Sequence, residues 1–269
     1  MIYLIKKILT ILPSNSNNGG GRIVKKTFKA MSAAICILTL LSTTSSYVIA
    51  DFIDDAIAEF KAEKQGNIDI NDKGIKSFKE LDLTKVPEFV WQLDLRDNSI
   101  SSLDSIDCPQ IVSLILINNK LKSLKGENIN LPKLKELRVD NNQLRSLEGL
   151  ENFPHLTHLS IGNFSLYSNN GDNRLKSLKG IEILEDLEDL DVRDVQLKSL
   201  DGLEKLSKLK KLILNSNKDI TKEMLDQLSK QLPDCHIYKY DSDQQKLELF
   251  KNGERKYVGR AIGSTPIRP

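Results

Sequence analysis

From Val90 to Ile220 the apolar residues of this 269-residue chain recur in one fixed frame. In the stretch LKELRVDNNQLRSLEGLENFP, residues Leu134, Leu137, Val139, Asn142, Leu144, Leu147, Leu150 and Phe153 stand at the spacing LxxLxLxxNxLxxLxxLxxF. The same frame takes in Val90, Leu93, Leu95, Asn98 and Ile100, then Ile111, Leu114, Leu116, Asn119 and Leu121. It returns at Leu156, Leu159 and Ile161, at Leu187, Leu190, Val192 and Leu197, and at Leu209, Leu212, Leu214, Asn217 and Ile220. The second apolar residue of each unit falls at positions 93, 114, 137, 159, 190 and 212, so the intervals are 21, 23, 22, 31 and 22 residues. The 31 is an ordinary 22 with nine residues inserted. A unit this short cannot bury its own apolar side, so the repeats are stable only as a stack.

Alternation in the LxL core predicts a short strand in each unit. It sends Leu137 and Val139 to one face and Arg138 and Asp140 to the other. Stacked units then form a parallel sheet with an apolar face turned inward and a variable face turned outward. Asn98, Asn119, Asn142 and Asn217 form a column whose amides are expected to satisfy backbone groups at the bend after each strand. Val195 stands in that column in the fifth unit and predicts a less well tied bend there.

On either side of the repeats the rhythm changes. DFIDDAIAEFKAEK, residues 51–64, sets Phe52, Ile53, Ala56, Ile57 and Phe60 on one helical stripe, with acids early and lysines late. INDKGIKSFKEL reads as a degraded repeat, and the two together (51–89) as a cap over the first strand. After the array (90–232), ITKEMLDQLSKQLPD spaces Ile220, Met224, Leu225, Leu228 and Leu232 for a true helix. CHIYKY reads as a last edge strand, and KLELFKNGERKYVG as a hairpin turning at Asn252-Gly253, within a C-terminal cap of 233–258. The tail 259–269 has no apolar period. The insertion, NFSLYSNNGDN, predicts a loop leaving the end of the fourth strand, and loops lengthen at little thermodynamic cost.

The phrases SLEGLENF, SLKGIEIL and SLDGLEKL, each following a strand, resemble the leucine-rich repeat family in its short variant of about 22 residues, internalin-like and phosphatase-regulator-like. The resemblance implies an α/β solenoid with the parallel sheet on its concave face, a helical cap at the N-terminus, and a helix plus β-hairpin at the C-terminus. It also implies a secreted bacterial scaffold that binds proteins, host proteins among them, without catalysing a reaction. The rival of the same fold is an intracellular phosphatase-regulator-like scaffold. The rival of another class is an enzyme with an unfamiliar site, and fold alone does not choose between them.

Charge and leader bear on that choice. The first fifty residues hold six Lys or Arg and no acid, which leaves 33 basic against 37 acidic residues in the remainder. A mildly acidic body argues against a nucleic-acid partner. RIVKKTFKAMSAAICILTLLSTTSSYVIA runs from lysines through an apolar stretch, Met31 to Leu41, to small residues ending at Ala50. That is the order of a secretory signal peptide, so the expectation is export to the periplasm or beyond, with membrane contact only in transit.

Catalytic chemistry finds no foothold in the sequence. Zinc, nucleophile-elbow, redox and phosphate-loop motifs are missing, and His155 and His158 have no ligand partners at metal spacing. No cofactor is expected, and Cys108 and Cys235 are expected to be free buried thiols. Acid pairs such as Glu185-Asp186 and Glu188-Asp189 read as solvated charge. The candidate site is therefore a protein-binding surface on the concave face: Trp91, Val112, Ile115 and Ile117 as an apolar patch across two adjacent strands, with Arg138, Asp191 and Arg193 beside it. The competing reading of the patch is that the N-terminal cap folds over it. The acidic fifth and basic sixth strands are expected to orient the partner.

Overall fold

The structure, a computed structural model, describes residues 66–164, 172–241 and 246–260. The expected helix at 51–64, the leader, the body of the insertion and the tail beyond Arg260 lie outside those residues, while Gly259 and Arg260, expected in the tail, belong to the last strand.

One ten-stranded sheet runs in sequence order. Strands β1 (Asn67–Asp69), β2 (Gln92–Asp94), β3 (Ser113–Ile115), β4 (Glu136–Arg138), β5 (His158–Ser160), β6 (Asp189–Asp191), β7 (Lys211–Ile213) and β8 (His236–Asp241) are parallel neighbours. Their register is unbroken: Ile68, Leu93, Leu114, Leu137, Leu159, Leu190, Leu212 and Ile237 form one cross-strand row. All eight are at most 2% exposed. The degraded repeat thus supplies a full strand, β1, and the array gains an eighth parallel member in β8.

The asparagine column works as a clamp. Asn119 accepts a hydrogen bond from Ile100 N through Oδ1 and donates through Nδ2 to the carbonyls of Leu95 and Leu116. Asn98, Asn142 and Asn217 repeat the arrangement. Each amide ties two units through buried groups that would otherwise cost about 1–3 kcal/mol apiece. Asn173, beyond the insertion, takes the same place, accepting from Leu144 N and donating to the carbonyls of Val139 and Ile161. At Val195 the column is empty of an amide. The neighbouring bend is held instead by Asn163, which donates to the carbonyls of Asn173 and Asp194 and accepts from Asn173 N.

At the C-terminus Thr221 caps helix α1 (Lys222–Gln231) by accepting from Met224 N. Leu225 and Leu228 are buried and the helix packs on β9 (Lys246–Lys251). The β8 segment is not an edge, contrary to expectation: β9 adds to it antiparallel and β10 (Glu254–Arg260) follows. The reason lies in β9, whose Phe250 and Glu248 turn inward while Leu247 and Leu249 stay half-buried on the other side, so the hairpin extends the sheet. Cys108 and Cys235 are buried free thiols, and burial pushes them up to about 11 and about 12.

Candidate protein-docking face

Register determines what the outward face presents. Asp94, Ile115, Arg138, Ser160, Asp191, Ile213 and Tyr238 form one outward row. The apolar patch divides in this setting. Trp91 is 48% exposed, and its indole lies so close on the backbone of Gly66 that an added Cβ there would meet the ring at 2.0 Å. Neighbouring Phe89 is 59% exposed. Val112, whose N–H donates to Trp91 O at 2.7 Å, is half-buried, as is Ile117. Ile115 is not exposed as expected: it is 7% exposed, because it sits between Asp94 and Arg138, and arginine stems cover apolar surface. The two tryptophan-side residues and the isoleucines therefore do not form one open patch.

Arg138, Asp191 and Arg193 are brought together, around a residue that sequence reasoning left out. Asp140 is fully buried although it sits at an outward position. Its Oδ1 accepts from Ser160 Oγ at 2.6 Å, while Oδ2 has no hydrogen-bond partner among the described residues and lies 3.9 Å from Arg138 Nε. Burial and the nearby charge of Asp191 push Asp140 up to about 7, against the opposing pull of the Ser160 hydroxyl, Arg138 and Arg193. Asp191 chelates Arg193, whose Nε stands 2.9 Å from each carboxylate oxygen. Burial works against the Arg193 charge, but Asp191, Asp140 and Asp189 together raise it. Asp94 holds Arg96 in the same way, with Nε 3.0 Å from both oxygens.

Small residues at the end of β5 and just beyond it make the central packing possible. At Gly162 a Cβ would meet Arg193 Cγ at 2.8 Å, so only glycine leaves room for that side chain to cross the strand. Arg193 then lies 4.7 Å from the Phe164 ring centroid, a cation–π contact. Phe164 is pinned at the root of the insertion, its N–H donating to Asn141 Oδ1 at 2.6 Å. The signal for this cluster was present as Ser160 and Gly162 at outward positions, flanked by charge on the next strands.

The acidic fifth and basic sixth repeats do not stand as free fields for steering. Lys208 pairs with Asp186 at 2.7 Å, Lys210 with Glu188 at 2.8 Å and Lys211 with Asp189 at 3.1 Å. His155 lies 3.7 Å from Asp186. Among the described residues no group of three His, Cys, Asp or Glu could hold a metal, and no helix is long and apolar enough to cross a membrane. Asn163, in the sequence Asn-Phe-Ser, is 7% exposed with its amide engaged twice, so it offers no acceptor for a glycan.

Eight parallel strands in one register, closed by a shared asparagine clamp and spaced by the repeat, decide the fold. The fold is that of a leucine-rich repeat protein. No protein-family model and no curated protein matches it. Among solved structures, the repeat protein is similar to an internalin (inlF) from Listeria monocytogenes str. 4b F2365, at 19% identity and TM-score 0.47 over 65% of this chain and 47% of that one. It is also similar to an internalin C2 of the same strain, at 21% identity and TM-score 0.41 over 61% of this chain and 77% of that one. A leucine-rich repeat protein of Leptospira interrogans follows at 20% identity and TM-score 0.34, over 67% of this chain and 57% of that one. The chain thus spans about half the length of the first internalin. The identification rests on the repeat and its register.

Proposed function

We propose that this leucine-rich repeat protein is an exported, non-catalytic scaffold that holds a protein partner against the outward face of its sheet. The observation that carries the reading is Trp91, the single tryptophan of the chain, 48% exposed at the rim of that face beside Phe89 at 59%. Burying a large aromatic of this kind supplies much of the energy of an interface, and tryptophan is enriched among its hot spots. Val112, half-buried, adjoins Trp91, and beside Arg138 the chelated Arg193 and Asp191 give a rigid polar neighbour. Export is supported by the charged, apolar and small-residue order of residues 25–50, and residues 51–64 would serve as the cap ahead of β1.

The test is paired recovery of partners from the cell envelope and from a host lysate by the full chain and its Trp91→Ala variant, with affinity then measured on whatever is recovered by both. Trp91→Ala should weaken binding by about 1–4 kcal/mol with little change in unfolding midpoint. A large loss of stability with affinity untouched would assign Trp91 to the fold instead.

A further inference from the structure

The C-terminal end of the outward face is built differently from the rest. Register sets Ile213 of β7, Tyr238 of β8 and Leu249 of β9 side by side, and Tyr240 faces Leu247 across the same pair of strands two residues on. Ile213 is buried, at 9% exposed, and the other four are half-buried, so it is those four that show a side to solvent. These four, cross-strand neighbours around the buried Ile213, make an apolar floor, which is the mark of an interaction site rather than of scattered surface leucines. The tyrosines add a polar tip to an apolar body, as interface residues commonly do.

One row along the strands, Lys211 stands beside His236 in the register, and His236 beside Lys251 in space. Lys211 is matched by Asp189 at 3.1 Å, and Lys256, beside Leu249, by Glu254 at 3.2 Å. Lys251 faces Glu254 in the register, but that carboxylate is the one taken by Lys256; among the described residues the Lys251 ammonium forms no ion pair and meets the Nε2 of His236 at 3.1 Å. Donating to that nitrogen requires a neutral ring, so the contact supplies no negative charge, and the ammonium keeps two further donors. The strip is therefore an apolar floor with a surplus of positive charge along one side.

The geometry points to this strip as the docking surface for an acidic segment of a partner protein, its apolar side chains on the Ile213–Tyr238–Leu249 floor and a carboxylate on Lys251. The inference rests on the reading that the outward face meets proteins, and adds the chemistry of what it meets. A basic segment would face Lys251, whose charge no ion pair offsets among the described residues. A nucleic-acid backbone would meet Asp189 and Glu254 within the same strip, where clustered cations are required. A carboxylate needs one unmatched cation and finds it in Lys251.

The experiment uses the full chain and three synthetic twelve-residue peptides in which Glu, Gln or Lys alternates with Leu and Phe, titrated by calorimetry at low salt. The Glu peptide should bind at least tenfold more tightly than the Gln peptide, and the Lys peptide should not bind. Lys251→Glu should reverse the preference, and Tyr238→Ala should weaken the Glu peptide at least tenfold. Since Tyr238 is half-buried, the urea midpoint is read alongside, and Lys251→Glu decides if Tyr238→Ala unfolds. Trp91 emission reports the opposite end of the face and should stay unchanged. Equal binding of the Glu and Gln peptides, no binding of any peptide, or insensitivity to Lys251→Glu overturns the inference. Binding that quenches Trp91 and is abolished by Trp91→Ala overturns it too, while leaving the face as a protein-binding surface. Self-association lost in Lys251→Glu would replace the acidic partner with a second copy of the chain.

Discussion

Replacing Asp140 by Asn separates the energetic burden of a buried charge from that of a buried shape. The carboxyl group is fully buried, with Oδ1 satisfied by Ser160 and Oδ2 by nothing closer than Arg138 Nε at 3.9 Å. Burial first, and Asp191 second, lift its protonation midpoint from 3.8 to about 7. A carboxyl raised on folding holds its proton in the native state over a range where the unfolded chain has lost it. Stability is thus highest below about pH 4, falls as pH rises towards 7, and levels off above. The full difference is on the order of 4 kcal/mol, of which about 2–3 kcal/mol falls between pH 5 and pH 8. Asn is nearly isosteric and keeps an oxygen for Ser160, but it does not ionise. Urea unfolding of both proteins at pH 5, 6, 7 and 8 should show the gap between them moving in favour of Asp140→Asn by that amount as pH rises. The absolute level is less telling, because the new amide N–H faces Arg138. Parallel pH profiles for the two proteins would refute the reasoning and place a counter-charge or water beside Oδ2.

Further expectations follow from the same geometry. Leu137→Ala, at a residue 0% exposed in the central row, should cost about 2–5 kcal/mol by denaturant unfolding, as for other buried leucines. Gly149 and Gly180 share φ 97°, but a Cβ on Gly149 would meet the Leu124 backbone at 2.1 Å, whereas on Gly180 it meets nothing within 4 Å. Gly149→Ala should therefore destabilise well beyond Gly180→Ala, which carries only the strain of a left-handed residue, about 1–2 kcal/mol; equal losses would mean the close packing at Gly149 relaxes freely. Cys108 and Cys235, buried and pushed up to about 11 and about 12, should resist alkylation by iodoacetamide at pH 8 in the folded protein and react once denatured.

What the sequence discloses here is what sterics repeat. Leu93, Leu114 and Leu137 sit in one row because a two-residue period inside a 22-residue period leaves no other place for them, and the asparagine clamp follows because its amide reaches only the adjacent bend. The strands of Ile68 and Ile237 were harder to see as members of the array, since their units lose the frame on the outer side and keep only the inward residue. The outward face is a different problem. Asp140 looks like its solvated neighbours in the sequence, yet it is buried because Ser160 at the end of β5 and Gly162 just beyond it are small enough for Arg193, just after β6, to cross towards it. Ile115 looks exposed, yet between Asp94 and Arg138 in the register it is only 7% exposed. The acids and lysines of the last repeats look like opposing fields, yet they neutralise each other at a spacing of 22 residues. In each case the environment of one side chain is set by residues one or two repeats away, and by their size as much as their charge. An inward position is fixed by its own unit, whereas an outward one is fixed by its neighbours. A docking surface on a stacked sheet is therefore legible only once cross-strand register is known, and Lys251, beside His236 and without an ion pair among the described residues, emerges as a candidate anchor only at that point.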